Sequence, residues 1–239
     1  MECCKHCGSK NLIKYGKTSG GNQRYQCKGC PKVSNNPIAR GKPKSLKAQA
    51  ILMYTMFAAS FRSIGRFLKV SDVSVYKWVK QYAKTLEKPE IPPPSDCTDV
   101  VLDEMWHFVN GKPNKVWIWK AYDLEKQKTF AWKIGRRDAA TLKEFLDEIG
   151  LEGRDFITDD CEPYHKLIPE AQLSTGKDLT YPIEQDNSNT RHYIGRFRRK
   201  SKITSRSLEM VNLSLSLLYH FQHGDLLETL QAKFCQLIG

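Results

Sequence analysis

Two Cys-x-x-Cys pairs lie within the first thirty residues: Cys4 with Cys7, and Cys27 with Cys30. Two such pairs supply the four thiolate ligands that a structural Zn²⁺ prefers, so they predict a zinc ribbon. Cys3 could replace Cys4, although its spacing to Cys7 fits the motif less well. Two disulfides in a secreted protein are the alternative, but no signal sequence precedes Cys4 and we expect reduced thiols in an intracellular protein.

Three carboxylates lie where structure alone does not require a charge. Asp103 interrupts an apolar strand, Asp159 follows a short apolar strand, and Glu184 lies at the start of a predicted helix. A buried charge is costly unless it is paired or binds a metal, and converging carboxylates repel until a cation joins them. The three predict a site for Mg²⁺ (or Mn²⁺) that could act on a phosphodiester. A lysine partner for Asp103, a helix N-cap role for Asp159 and a helix-dipole role for Glu184 are the structural alternatives.

The overall charge indicates the partner. The 239 residues carry a net charge of +12 and are 40% hydrophobic, which predicts a globular protein attracted to a polyanion. No apolar run is long enough for a membrane helix, so we expect no membrane partner and a cytoplasmic location. Nucleic acid is the leading candidate, and a solvated basic surface is the alternative.

Composition and periodicity divide the chain into segments. A Pro-, Gly- and Lys-containing stretch follows the ribbon, and four prolines between Lys88 and Ser95 separate a helical segment from a third block. We expect a multidomain protein with these boundaries: 1–43 for the ribbon and linker, 44–87 for an all-α helix-turn-helix domain, 88–97 for a Pro-rich linker, 98–223 for an α/β catalytic domain, and 224–239 for a C-terminal helix.

Residues 44–87 have apolar residues at helical spacing in three runs. Ser71 or Asp72 can cap the third run, which makes 72–84 the candidate recognition helix. Its polar face would present Ser74, Lys77 and Lys80 to DNA. An ordinary three-helix packing unit is the alternative.

In the third block, runs of β-branched and aromatic residues predict strands at 98–109, 116–124 and 129–135. A helix capped by Asp138, a strand at 154–158 and an extended segment at 179–182 are expected to follow. The order β-β-β-α-β-α-β-α predicts a mixed sheet with helices on its faces. The tryptophans of these strands, Trp106, Trp117, Trp119 and Trp132, are expected in the core.

The helix that begins near Glu184 would carry Asn187 and Arg191 on the same face. Beyond it, cations crowd a short stretch and could hold DNA phosphates, with a solvated basic surface as the alternative. The candidates are Arg196, Arg198, Arg199 and Lys200.

Three segments of this block resemble the catalytic half of transposases of the IS1 insertion-sequence family: Asp103-Glu104-x-Trp106, Thr158-Asp159 followed by Pro163-Tyr164, and Ile183-Glu184-x-x-Asn187-x-Asn189-x-Arg191 with Arg199-Lys200-Ser201 further on. The zinc motif, with Arg24-Tyr25-x-Cys27, and the helix-turn-helix resemble the family's DNA-binding region. The resemblance implies a ribonuclease H-like DDE domain whose Mg²⁺ ligands are Asp103, Asp159 and Glu184. Asp160 stands where a glycine is expected and competes with Asp159; we favour Asp159.

The function that the resemblance implies is that of a DNA transposase. It would bind terminal inverted repeats as a homodimer or larger assembly, cleave the transposon end to free a 3′-hydroxyl, and join that hydroxyl to target DNA, in the nucleoid of a prokaryote. Two other functions fit the sequence: a zinc-ribbon repressor whose carboxylates are structural, and a plain ribonuclease H-like nuclease that cuts without joining.

Overall fold

The computed structural model describes residues 3–35 and 42–235, and the chain forms two compact units, Met1–Pro43 and Lys44–Gly239. The smaller unit contains a three-stranded antiparallel sheet in the order β1-β2-β3. The predicted strand around Arg24 is confirmed as part of β2. The strands are β1 (Leu12–Lys17), β2 (Gln23–Cys27) and β3 (Val33–Ser34).

Three helices begin the larger unit, as the apolar periodicity predicts: α1 (Lys44–Met56), α2 (Phe61–Phe67) and α3 (Asp72–Ala83). Ser71 caps α3, because its side chain accepts a hydrogen bond of 3.1 Å from the backbone N–H of Ser74. The connection from α2 to α3 is tight. A Cβ added at Gly65 would lie 2.8 Å from the Val70 carbonyl oxygen, so a side chain there would push the two helices apart.

A five-stranded mixed sheet follows, in the order β6-β5-β4-β7-β8. The pairs β6-β5 and β5-β4 are antiparallel, and β4-β7 and β7-β8 are parallel. β4 is therefore central and pairs with both halves of the sheet. The strands are β4 (Asp99–Phe108), β5 (Lys115–Asp123), β6 (Lys128–Gly135), β7 (Asp155–Thr158) and β8 (Leu173–Thr175).

Helices cover both faces of this sheet. One face packs against α4 (Ala139–Ile149) and α5 (Glu162–Leu167), around Leu102, Phe145 and Phe156. The other face packs against α6 and α7. The hydrophobic cluster that contains α7 also includes residues of α1, α2, α3 and α8. The remaining helices are α6 (Tyr181–Tyr193), α7 (Leu208–His223) and α8 (Leu226–Cys235).

One predicted element is wrong. Residues 179–182 are not extended: α6 begins at Tyr181, with Pro182 in its first turn, where proline is compatible with a helix. The last strand is instead Leu173–Thr175.

The described residues include no helix with the length and hydropathy needed to cross a bilayer. The helices of residues 44–87 share one hydrophobic cluster with α7 and α8. The domain boundaries that the sequence predicts inside the larger unit therefore stay a prediction.

A buried polar network links α1 to the sheet and to α7. The Tyr54 hydroxyl lies 2.7 Å from the Ser214 hydroxyl and accepts a hydrogen bond of 2.6 Å from Arg196 Nε. His107 Nε2 on β4 lies 2.7 Å from the Ser205 hydroxyl. Burial, together with the charges of Arg196 and Arg191, lowers the pKa of His107 to about 4.

This lowered pKa predicts acid sensitivity. The unfolded chain takes up a proton at His107 below pH ~6.5, whereas the folded protein resists it until about pH 4. His107 therefore removes about 3 kcal/mol from the free energy of unfolding as the pH falls through this window. We expect the free energy of unfolding of His107→Gln not to fall by this amount, as measured by urea unfolding from pH 7 to pH 4. His165→Gln, at an exposed histidine, is the control, and equal slopes for wild type and His107→Gln would contradict the prediction.

Candidate functional site

Four cysteine sulfurs converge in the smaller unit. Cys4 Sγ lies 3.6 Å from Cys30 Sγ, Cys7 Sγ lies 3.6 Å from Cys27 Sγ, and all four lie within 4.8 Å of one another. A tetrahedron with Zn–S bonds of about 2.3 Å has edges of about 3.8 Å, so the spacing suits Zn²⁺. Cys3 is not part of this group, and the four thiols are free rather than paired in disulfides.

The loops around these sulfurs favour thiolates. The backbone N–H of His6 donates to Cys4 Sγ at 3.5 Å, and that of Gly29 donates to Cys27 Sγ at 3.3 Å. Such bonds stabilise negative charge on sulfur, which zinc coordination requires. The chemistry and geometry of the donor set therefore fit a structural zinc ion.

In the larger unit, the parallel pairing of β4 with β7 brings two predicted acids together. Val101 pairs with Ile157, and two residues further along each chain are Asp103 and Asp159. β7 ends at Thr158, so Asp159 directly follows the strand, at the point where β7 lies beside β4. Burial, with the charges of Glu104 and Asp159, raises the pKa of Asp103 to about 6.

Asp159 and Asp160 have different surroundings. Asp159 Oδ1 is buried and has no hydrogen-bond partner among the described residues. Asp160 is largely exposed, and its Oδ1 lies 2.7 Å from His165 Nε2. The geometry thus favours Asp159 as the neighbour of Asp103.

The first three turns of α6 carry the third acid and two of its predicted companions. Asn187 is buried, and its Nδ2 donates a hydrogen bond of 2.7 Å to Asp103 Oδ2. Glu184 is exposed one turn earlier, and Arg191 is half-buried one turn later. A cavity of about 550 Å³ is lined by these residues together with Asp103 and Arg199.

The oxygen atoms of Asp103, Asp159, Asn187 and Glu184 are of the type that binds a divalent cation, but they do not all converge on one point. Asp159 Oδ1 and Asn187 Oδ1 are buried oxygens without hydrogen-bond partners in the described structure, and oxygen is the ligand that Mg²⁺ prefers. Among the described residues, the side chains of three or more potential metal ligands converge only at the four cysteines. Glu184 does not lie close enough to Asp103 and Asp159 to form a second such group. Three carboxylates without a cation repel one another, so a more open arrangement is expected.

The lysine alternative for Asp103 is not borne out. Lys120 is the cross-strand partner of Asp103, but its Nζ lies 2.6 Å from Asp186 Oδ2 and donates to Thr190 Oγ1 at 2.8 Å. Both charged groups are largely buried. Lys120 therefore holds α6 against the sheet and is not the ion-pair partner of Asp103.

Sequence reasoning missed the role of Glu104. Its carboxylate points to the opposite face of the sheet, where Arg137 Nε and the Tyr164 hydroxyl donate to it, the latter at 3.0 Å. The available signal was a second acid directly after Asp103, since adjacent strand residues face opposite sides.

The predicted DNA-binding cations divide into two groups. Arg198, Arg199, Lys200 and Lys77 are exposed. Arg196 is a correction: it is 5% exposed, donates to the Tyr54 hydroxyl and to the Ser205 hydroxyl, and lies over the ring of Phe61, so it cannot hold a phosphate at the surface.

Two predicted base contacts on α3 already have partners within the protein. The Ser74 hydroxyl lies 2.9 Å from the Ser71 hydroxyl, and Lys80 Nζ forms an ion pair of 2.6 Å with Glu209 on α7. Lys77 therefore remains the best candidate on this helix.

Known proteins match the part of the chain that contains these acids. The IS1 transposase family matches residues 97–223. Iso-IS1n protein InsB of Shigella dysenteriae is 34% identical over 110 residues, which cover 46% of this chain and 84% of that protein. IS1 9 protein InsB of Escherichia coli K12 is 30% identical over 124 residues, covering 50% of this chain and 73% of that protein.

A solved structure, a pre-cleavage Mos1 transpososome, is 12% identical and covers 85% of this chain and 82% of its own, with a TM-score of 0.30. A score this low does not establish a shared fold. The sequence matches stand without it: the family covers more than half of the chain, and more than two thirds of each InsB relative is aligned. The chain therefore belongs to the IS1 transposase family.

Proposed function

We propose that this protein is a DNA transposase that binds the terminal inverted repeats of an insertion sequence and performs metal-dependent strand cleavage and strand transfer. The observation that carries the proposal is the parallel register of β4 with β7, which brings Asp159 near Asp103, beside a cavity of about 550 Å³ that Asp103 and Glu184 line. Membership of the IS1 transposase family makes polynucleotidyl transfer the chemistry to expect there.

The strand order supports a ribonuclease H-like catalytic domain. Three antiparallel strands are followed by two parallel ones, and the first strand of the domain lies at the centre. In this arrangement the middle of β4 and the carboxyl end of β7 meet at one point, which is where a ligand binds in sheets of this type.

Asp103, Asp159 and Glu184 are the proposed ligands of Mg²⁺ or Mn²⁺. The bound cation would polarise the phosphodiester and stabilise the attacking and leaving oxygens. Asn187 orients the Asp103 carboxylate through its hydrogen bond, and Glu184, which is exposed, would turn towards the two aspartates when a cation is bound. The cavity also offers Arg191 and Arg199 to the scissile phosphate.

In the proposed reaction, water first attacks the phosphodiester at the transposon end and releases a 3′-hydroxyl. That hydroxyl then attacks a phosphodiester of the target DNA and displaces its 3′-oxygen. No covalent protein intermediate is needed, so the chain's own work is to bind, orient and neutralise charge. The zinc ribbon and α1–α3 would recognise the element ends, and a homodimer or larger assembly would hold two ends together.

The first prediction concerns the acids. We expect Asp103→Asn, Asp159→Asn and Glu184→Gln each to lower cleavage of labelled element ends by at least about a thousandfold, while binding of the ends is kept. Asp160→Asn is the matched control and should retain activity, because Asp160 faces solvent. Loss of cleavage in Asp160→Asn with activity kept in Asp159→Asn would reverse the assignment. Cutting without joined products would indicate a plain nuclease, and binding without magnesium-dependent cutting a repressor.

The second prediction concerns zinc. Coordination by thiolates contributes folding free energy directly, so Cys7→Ser should lose the metal and unfold the smaller unit. Native mass spectrometry should find about one zinc per chain in the wild type and none in the variant. Cys97→Ser is the control, because Cys97 is buried in the core of the larger unit. A wild-type protein without zinc would contradict the assignment.

The third prediction separates sequence readers from phosphate contacts. Lys77→Ala should weaken binding to the cognate end by roughly 1 to 3 kcal/mol and have little effect on scrambled DNA. Arg198→Ala should weaken binding to both DNAs equally and flatten the salt slope by about one. Lys143→Ala, at an exposed lysine of α4, is the control. Equal losses on both DNAs for Lys77→Ala would transfer sequence recognition to the zinc ribbon.

A further inference from the structure

Three aromatic side chains lie where β4 ends and β5 begins: Trp106, Phe108 and Trp117. Trp106 and Trp117 are direct cross-strand partners, and the ring centroids of Trp106 and Phe108 are 4.9 Å apart. All three are half-buried, and in the described part of the chain none joins a hydrophobic cluster of the core. The expectation that Trp106 and Trp117 are core residues is therefore wrong, and we call the three rings the aromatic patch.

Three cations lie over this patch. Lys115 Nζ is 4.3 Å from the ring centroid of Trp117 and 5.4 Å from that of Trp106. Arg137 Cζ is 4.9 Å from the Trp117 ring, and Arg199 Cζ is 5.4 Å from the Trp106 ring. Aromatic rings interleaved with cations are the combination that binds the bases and phosphates of single-stranded nucleic acid.

The aromatic patch is continuous with the catalytic cavity. Trp106 and Arg199 line the cavity of about 550 Å³ that contains Asp103 and Glu184. The same two residues line a second cavity of about 150 Å³, next to Phe108. Trp106 has the same strand parity as Glu104, so a DNA strand whose phosphate lies at Asp103 would reach the rings around the edge of β4 that extends beyond β7.

We propose that the aromatic patch binds unpaired DNA bases next to the strand end held in the catalytic cavity. The proposal rests on the proposed function and adds that the DNA substrate is locally single-stranded. Bases inside a duplex are stacked on one another and cannot lie flat on a protein ring, whereas an unpaired base can. Stacking of a base on an aromatic ring is stronger than an exposed cation–π contact, so a base displaces the cation from the ring face. The released Lys115 or Arg199 is then free to pair with the neighbouring phosphate.

The test measures binding of a twelve-nucleotide oligothymidine and of a duplex of the same length to the full chain in magnesium-free buffer. The wild type should bind the single strand with quenching of tryptophan emission. Trp117→Leu and, independently, Trp106→Leu should weaken single-strand binding roughly tenfold and duplex binding less than about twofold. Trp117→Phe keeps an aromatic face and should stay within about threefold of the wild type.

Two controls distinguish stacking from charge and from misfolding. Trp132→Leu alters a tryptophan whose indole N–H donates to Asn212 Oδ1, and it should not change single-strand affinity. Lys115→Ala should flatten the salt slope by about 0.7, whereas Trp117→Leu should leave the slope unchanged, because stacking releases no counterions. Zinc content and the thermal midpoint verify that each variant is folded.

Unchanged single-strand binding in both leucine variants, or equal losses on single strand and duplex, would overturn the proposal. So would loss of self-association in Trp117→Leu without loss of DNA binding, since the patch would then be a contact between two copies of the chain. The assay needs neither metal nor cleavage. If the catalytic proposal is wrong, magnesium-dependent cutting is absent, whereas the two leucine variants still lose affinity for the single strand. If only the proposal for the aromatic patch is wrong, cutting is present and the leucine variants bind the single strand as the wild type does.

Discussion

Burial, then the charge of Glu104 and then that of Asp159 oppose ionisation of Asp103, and the parallel register of β4 with β7 is what brings Asp159 close enough to act. The rise in the pKa of Asp103 to about 6 corresponds to about 3 kcal/mol against its charged form. The protein could relieve this cost with a nearby lysine, and Lys120 lies directly across from Asp103 in the sheet. Lys120 is instead bound to Asp186, so the negative charge is left for a ligand to neutralise.

The ion pair of Lys120 with Asp186 has a second consequence. Asp186 lies on α6 between Glu184 and Asn187, and Thr129 of β6 also donates to it, at 2.8 Å. Breaking a buried pair of this kind costs about 3 to 5 kcal/mol, so α6 is held firmly at the position from which Asn187 reaches Asp103. The lysine that could have neutralised Asp103 therefore fixes the helix that carries Glu184 and Asn187 beside it.

The local elements were predictable because their signals are local. Helical periodicity gave α1, α2 and α3, and Ser71 and Asp138 cap the helices where their positions indicate. The four cysteines were equally predictable, since ligand type and spacing define the site. The misassigned segment at 179–182 is a local failure, because proline is compatible with the first turn of a helix, but the failures at the site involve contacts between distant residues. Arg196 lies in a run of surface cations, but Tyr54, 142 positions earlier in the chain, binds its guanidinium in the interior.

The tryptophans show the same limit of sequence-based prediction, because residues expected in the core lie partly at the surface. A strand residue with an aromatic ring is usually buried, and Trp119 is, at 1% exposed, because Leu102, Tyr164 and Phe145 surround it in one cluster. Trp117, two residues earlier on the same face of β5, lies outside every core cluster of the described residues. Sequence alone cannot tell where along a strand the covering helix ends. Only the packing of α4 and α5 decides which ring is core and which is surface.

The charges around the cavity would make binding of the proposed metal and of DNA depend on each other. Glu104 is paired with Arg137, so Asp103 and Glu184 are the acids without an ion pair among the residues that line the cavity. They repel a phosphate unless a cation joins them, and Arg191 and Arg199 are the cations that line the cavity with them. Burial and the charge of Arg199 lower the pKa of Arg191, and its Nε is buried without a partner among the described residues. The charge of Asp103 acts on the pKa of Arg191 in the opposite direction, and a phosphate held by a metal at the acids would bring Arg191 a second anionic partner.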